Sequence, residues 1–186
     1  RFARSEAVDV PPDGVVKAFR VPEPEGLAPA YFVFLALEDG AGRVVSRNVY
    51  WLSTTPDVLA WDQSEWYVTP VSRHADLTAL QHLPPADVKA EARFERHGRE
   101  GRARVVLENP SPAIAFFVHL TVRKGEGGEE VLPVLWEDND VTLLPGERRE
   151  LAASYALSDL GGAAPALAVD GWNVAAAPTA RRPGRP

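Results

Sequence analysis

Apolar and polar residues alternate with a period of two over residues 88–94. Val88, Ala90, Ala92 and Phe94 form one set, and Lys89, Glu91 and Arg93 form the other. This is the pattern of a strand with one face in a core and one in water. His97-Gly98-Arg99-Glu100-Gly101 reads as a turn, and residues 102–107 as the returning strand. Further short strands are predicted over 114–122, 131–135, 141–144, 149–155 and 166–169, separated by Asn109-Pro110-Ser111-Pro112, by 125–128 and by Pro145-Gly146. Seven short strands punctuated in this way predict an immunoglobulin-like β-sandwich over residues 87–174. The fold class is therefore all-β.

The first half of the chain shows a sparser version of the same pattern. Residues 8–10 and 15–21 are extended candidates on either side of Pro11-Pro12-Asp13-Gly14. Residues 31–37 form an aromatic and aliphatic run, Asp39-Gly40-Ala41-Gly42 a hairpin turn, and residues 44–52 the partner strand. Three or four strands do not close two sheets, so residues 1–52 are expected to be part of a second immunoglobulin-like domain. Residues 53–86 differ in kind. They hold Trp61, Trp66, Tyr67, two histidines and several prolines, with no sustained alternation. Such a stretch is too long for a flexible tether and predicts an ordered, aromatic-rich connector, with a helical turn near 76–80. Residues 175–186, rich in Ala, Pro and Arg, are expected to be a disordered tail.

Composition narrows the function classes. The chain of 186 residues carries a net charge of −6, with no basic stripe before its last residues, which disfavours nucleic-acid binding. It has no cysteine, so a thiolate metal site, a cysteine nucleophile and a disulfide framework are excluded. No apolar run approaches the length of a membrane span, so no membrane partner is expected. The chain opens with Arg1-Phe2-Ala3 and contains no methionine, which marks it as an expected fragment of a longer protein.

The candidate chemistry centres on Trp136-Glu137-Asp138-Asn139-Asp140. A tryptophan beside Asp138 and Asn139 suits a sugar: the indole covers a pyranose face and the polar groups bond its hydroxyls. The same loop also reads as a turn held by its own side chains, as an interdomain contact, or as an oxygen-ligand set for calcium without the spacing of an EF-hand. Trp61 and Trp66, with Tyr50, Trp51 and Tyr67, make a second candidate set, read either as the packed core of the connector, interdomain packing included, or as a surface for carbohydrate or for docking a neighbouring domain. The histidines, His74, His82, His97 and His119, show no metal-ligand spacing, and the acids show no paired arrangement for glycoside hydrolysis. The chain is expected to lack an active site and a cofactor.

An ordered set of segments carries a family resemblance. It runs through Val45-Ser-Arg-Asn-Val-Tyr-Trp-Leu-Ser53, Pro56-Asp-Val-Leu, Trp61-Asp62, Trp66-Tyr67 and Ala75-Asp-Leu-Thr78. It continues in Ala115-Phe-Phe-Val118, Val122-Arg-Lys-Gly125, Val131-Leu-Pro-Val-Leu-Trp136, Asp138-Asn139, Leu144-Pro-Gly-Glu147 and Gly171-Trp-Asn-Val174. Together these resemble the C-terminal region of glycoside hydrolase family 2 exo-β-D-glucosaminidases and the related β-mannosidases. The resemblance implies two C-terminal immunoglobulin-like domains that follow a catalytic (β/α)8 barrel. The barrel holds the catalytic acids, so no residue of this chain inherits their role. It further implies a parent that hydrolyses O-glycosyl bonds, a barrel as partner, and a secreted or periplasmic location. A stand-alone carbohydrate-binding module and an adhesion-type interaction domain are the alternatives.

Overall fold

The computed structural model describes residues 2–175 and the backbone of 180–181. Two compact units divide between His82 and Leu83, so most of the aromatic-rich connector falls within the first.

The first unit is built on an antiparallel hairpin of β1 (Ala30–Glu38) and β2 (Val44–Ser53), in register from Ala30↔Ser53 to Leu37↔Ser46. Its turn is closed as the sequence predicts. Asp39 N–H donates to the Arg43 carbonyl, and the Asp39 carboxylate accepts the Ala41 and Arg43 amides. These bonds, chiefly the Arg43 amide and guanidinium, hold the carboxyl below its ordinary pKa of 3.8. The short strands β3 (Val58–Leu59) and β4 (Val71–Arg73) form a second ladder, and Thr78–His82 make a 3-10 turn. Residues 8–10 and 15–21, predicted to be extended, form no ladder, although the Pro11–Gly14 turn is present, with Gly14 N–H on the Pro11 carbonyl. Extended backbone needs a partner strand to satisfy its amides, and among the described residues neither ladder of this unit, β1–β2 or β3–β4, takes in these segments.

The second unit is a sandwich. One sheet holds β5 (Lys89–His97), β6 (Glu100–Glu108), β10 (Arg148–Ala156), β8 (Val134–Trp136) and β12 (Ala180–Arg181), in the order β12-β5-β6-β10-β8. The other holds β11 (Pro165–Asp170), β7 (Ala115–Lys124) and β9 (Val141–Leu143), in the order β11-β7-β9. The predicted alternation in β5 is observed: Val88 and Ala92 are buried, with Lys89, Glu91 and Arg93 exposed. In β6, Ala103, Val105 and Leu107 alternate inward against Arg102 and Arg104. From the facing sheet, Ala115, Val118, Leu120, Val141, Leu143, Leu167 and Val169 join Val105, Leu107 and Leu151 in one continuous core. Burial of the valine and leucine side chains among these, each contributing about 1.5–3 kcal/mol, makes the two-sheet arrangement favourable. Of the tail residues expected to be disordered, 176–179 and 182–186 lie outside the described residues, and Ala180–Arg181 run parallel to β5.

A second core layer places Tyr155 over Gly101. An added Cβ at Gly101 would stand 2.4 Å from two carbons of the Tyr155 ring, and burial of that ring raises the phenol pKa above its ordinary 10.0. Gly101→Ala therefore has to push a packed ring aside. We expect it to lower stability by about 1–3 kcal/mol, measured as a shifted urea midpoint; an unchanged midpoint would show that the ring is free to move.

Candidate functional site

The Trp136–Asp140 loop crosses from one sheet to the other. Trp136 ends β8, where it pairs with Ala153 of β10, and Glu137 N–H continues the ladder to the Ala152 carbonyl. The indole is half-buried against both core layers. Four residues beyond Glu137 the chain joins the opposite sheet, where Val141 pairs with Val118 of β7. Extending that register sets Asp140 against His119 and then Asn139 against Leu120. The Asn139 side chain makes this last pairing instead of its backbone: Oδ1 accepts the Leu120 amide at 2.8 Å and Nδ2 donates to the Leu120 carbonyl at 3.0 Å. A carboxamide has the donor and acceptor of a peptide group, so it can stand in for a strand residue.

Two of the loop's three acids are also engaged. Asp138 accepts the Asn139 amide at 2.9 Å and forms an ion pair with Arg149. Asp140 sits at φ 53° and its Oδ1 lies 2.8 Å from His119 Nδ1. A short polar residue tolerates this left-handed conformation better than a branched one. Of the residues singled out from sequence, the structure thus brings Trp136, Asp138 and Asn139 together in one rigid crossing. Asn139→Ala is expected to cost about 1–2 kcal/mol, because the Leu120 amide and carbonyl lose their partner at a half-buried site. The Leu120 amide should exchange faster in the variant than in the parent sequence, because it loses its acceptor; equal protection in both would contradict it.

Trp61 and Trp66 lie in the first unit, on the loop between β3 and β4. They are 72% and 86% exposed, beside Tyr67 at 80%. The Trp66 and Tyr67 rings meet edge to face, 5.9 Å apart, so they do not form one flat platform. Of the histidines, His74 lies 3.8 Å from Asp57 and His97 3.4 Å from Glu95. Among the described residues no group of three or more His, Cys, Asp or Glu side chains converges as a metal site.

Sequence reasoning missed two other asparagines that organise the sandwich. Asn109, fully buried, donates from Nδ2 to the carbonyls of Ala113, Leu143 and Leu144 and accepts the Ser111 amide. It ties the end of β6 to the end of β9 in the opposite sheet. Asn173 accepts the Phe116 amide at 2.8 Å and donates to the carbonyls of Pro84 and Ile114 at 2.7 and 2.8 Å. It holds the entry of the unit against the start of β7, where Phe117 adopts φ 54° at a register shift. The available signal was an asparagine next to Pro-Ser-Pro, or behind Gly-Trp, at the edge of a buried strand.

Comparison with known proteins follows this geometry closely. A family model described as the exo-β-D-glucosaminidase Ig-fold domain matches residues 66–174. The chain is similar to the exo-β-D-glucosaminidase of Streptomyces avermitilis, with 43% identity over 81% of this chain and 17% of that protein. It is similar to that of Arthroderma benhamiae, with 50% identity over 67% of this chain and 14% of that protein. Among solved structures, exo-chitosanase CsxA of Amycolatopsis orientalis matches with a TM-score of 0.81 and 41% identity, covering 86% of this chain and 19% of that one. A variant of CsxA has also been solved in complex with PNP-β-D-glucosamine. The chain thus spans less than a fifth of the length of these curated relatives.

Proposed function

Because the chain belongs to the exo-β-D-glucosaminidase Ig-fold domain family, we propose that it is a non-catalytic accessory region of a family 2 glycoside hydrolase. In this reading it packs on the catalytic barrel of a parent exo-β-D-glucosaminidase that works outside the cytoplasm. The Trp136–Asp140 loop serves as a fixed wall beside the substrate cleft, since its polar groups hold the loop in place and the half-buried indole anchors it to both core layers.

The observation that carries the packing role is the β1–β2 ribbon, which is apolar on both faces. One face sets Tyr31, Val33, Leu35 and Leu37 beside Tyr50 and Leu52; the other sets Phe32 and Phe34 beside Trp51 and Val49. Leu35, Leu37, Tyr50, Trp51 and Leu52 are all at least 40% exposed in this chain. Contiguous exposed apolar surface of this kind marks an interface, and its burial is favourable by roughly 25 cal/mol per Å².

The test is hydrolysis of PNP-β-D-glucosamine by the 186-residue chain and by a longer polypeptide carrying the same sequence. Turnover is expected from the longer polypeptide alone. Turnover by the chain itself would place catalytic groups here, and an inactive longer polypeptide would remove the glucosaminidase reading.

A further inference from the structure

The β3–β4 loop displays three large aromatic rings on a backbone that is tied down from within. Ala60 N–H donates to the Pro70 carbonyl at 2.9 Å, Glu65 N–H to the Val68 carbonyl at 2.9 Å, and the Ser64 and Thr69 hydroxyls share a 3.0 Å bond across the loop. The rings are therefore held outward by an ordered loop, with Trp61, Trp66 and Tyr67 between 72% and 86% exposed. Rings of this size are strong binding anchors when an interface covers them.

The loop's own charges have one sign. From Asn48 to Ser72 the chain carries Asp57, Asp62 and Glu65 and no lysine or arginine. Asp57 accepts the Ala75 amide, whereas Asp62 and Glu65 flank the rings on the loop itself and are exposed. Among the described residues neither of these two is held by a cation. Aromatic faces bordered by open carboxylates suit a ligand that is both apolar on its flat faces and positively charged at its rim.

We propose that this loop is an accessory binding site for a chain of β-linked glucosamine units, separate from the Trp136–Asp140 loop. The indoles of Trp61 and Trp66 cover pyranose faces, and Asp62 and Glu65 pair with the protonated 2-amino groups. An aminosugar polymer offers a cation on every residue, and the two carboxylates lie three positions apart on one short loop. This proposal rests on the exo-β-D-glucosaminidase reading for its choice of sugar, but concerns a site which that reading does not require.

The experiment is calorimetric titration of the full 186-residue chain with a glucosamine hexamer and with its N-acetylated counterpart, in buffer with about 0.15 M salt to screen non-specific attraction. We expect saturable binding of the glucosamine hexamer and at least tenfold weaker binding of the uncharged one. Trp66→Ala and the pair Asp62→Asn with Glu65→Gln are each expected to reduce affinity tenfold or more at an unchanged melting temperature. Absence of saturable binding by folded chain, equal binding of both hexamers, or variants that bind as well as the parent sequence would overturn the site. A further arm covers the competing occupant, a protein surface. Radical footprinting of the longer polypeptide should label Trp66 and Tyr67 as strongly as in the chain alone, and strong protection without sugar would assign the rings to an interdomain contact. None of these failures touches the hydrolysis test, so loss of the accessory site and loss of the glucosaminidase reading are told apart.

Discussion

Asn109→Ala is expected to cost roughly 3–4 kcal/mol of folding stability, near the upper end for a single substitution. The side chain is 0% exposed, and its carboxamide bonds four backbone groups from three places: the Ala113 and Ser111 turn, the end of β9 at Leu143, and Leu144 beyond it. Alanine removes none of those carbonyls and amides; it leaves them in a space with neither protein nor ready water to bond them. Each such orphan costs about 1–3 kcal/mol, with relief where the loop relaxes enough to admit solvent. The backbone of Asn109 stays paired with Gly146 and Glu147, so the β6–β10 ladder should survive and the damage should fall on the inter-sheet tie. Urea denaturation followed by fluorescence measures the loss, and early exchange at the Leu143–Leu144 end would locate it. A loss under about 1 kcal/mol would mean that these bonds are replaced by water at little cost.

Asn173→Asp is the second large effect and a sharper probe, because the two side chains have nearly the same shape. Asn173 Nδ2 donates to two carbonyls, those of Pro84 and Ile114. A carboxylate there has no proton to give and sets negative oxygen against both. We expect a loss of about 2–4 kcal/mol at neutral pH, combining two lost bonds with desolvation of a charge. Acid should narrow the deficit relative to the parent sequence, because protonation of the new carboxyl removes the repulsion and restores one donor. A deficit that is constant from neutral to acid pH would show that volume or backbone strain, rather than the hydrogen-bond polarity, is at stake.

These two asparagines mark the limit of what the sequence made legible. The sandwich itself could be read from the chain, because burial on one face writes a period of two into β5, β6 and β10, and glycine and proline punctuate the turns. The Asp39–Gly42 hairpin was legible for the same reason: Asp39 closes its own turn. Strand partnership was not legible. β8 joins β10 while β9 joins β7, and three or four apolar residues in a row do not say which sheet they enter. Nor does a pattern of apolar positions show where a ladder is finished by a side chain, as Asn139 finishes it against Leu120. Residues 15–21 looked extended because Val15, Val16 and Val21 favour strands, but β propensity is realised only against a partner.

The candidate site was half legible. Trp136, Asp138 and Asn139 do come together, because they are close in sequence and lie on one crossing loop. Their division of labour, with the polar groups bonded across the sandwich and the indole half-buried against both core layers, depends on Leu120, His119 and Arg149, which are remote in sequence. Trp61 and Trp66 stood out in the sequence as an aromatic set that suited either core packing or a surface, and only the structure shows an ordered loop holding them outward.

Hydrogen exchange along β1 and β2 tests the accessory role most directly, comparing the 186-residue chain with a longer polypeptide that carries it. In the chain alone the hairpin has large apolar residues open on both faces, and its amides should exchange within the range of local opening. If the region is an accessory element packed on a catalytic barrel, those amides should slow by at least tenfold in the longer polypeptide, while the β6–β10 amides of the sandwich should change little. Equal exchange of β1 and β2 in the two settings would contradict the account and leave the region as an independent module.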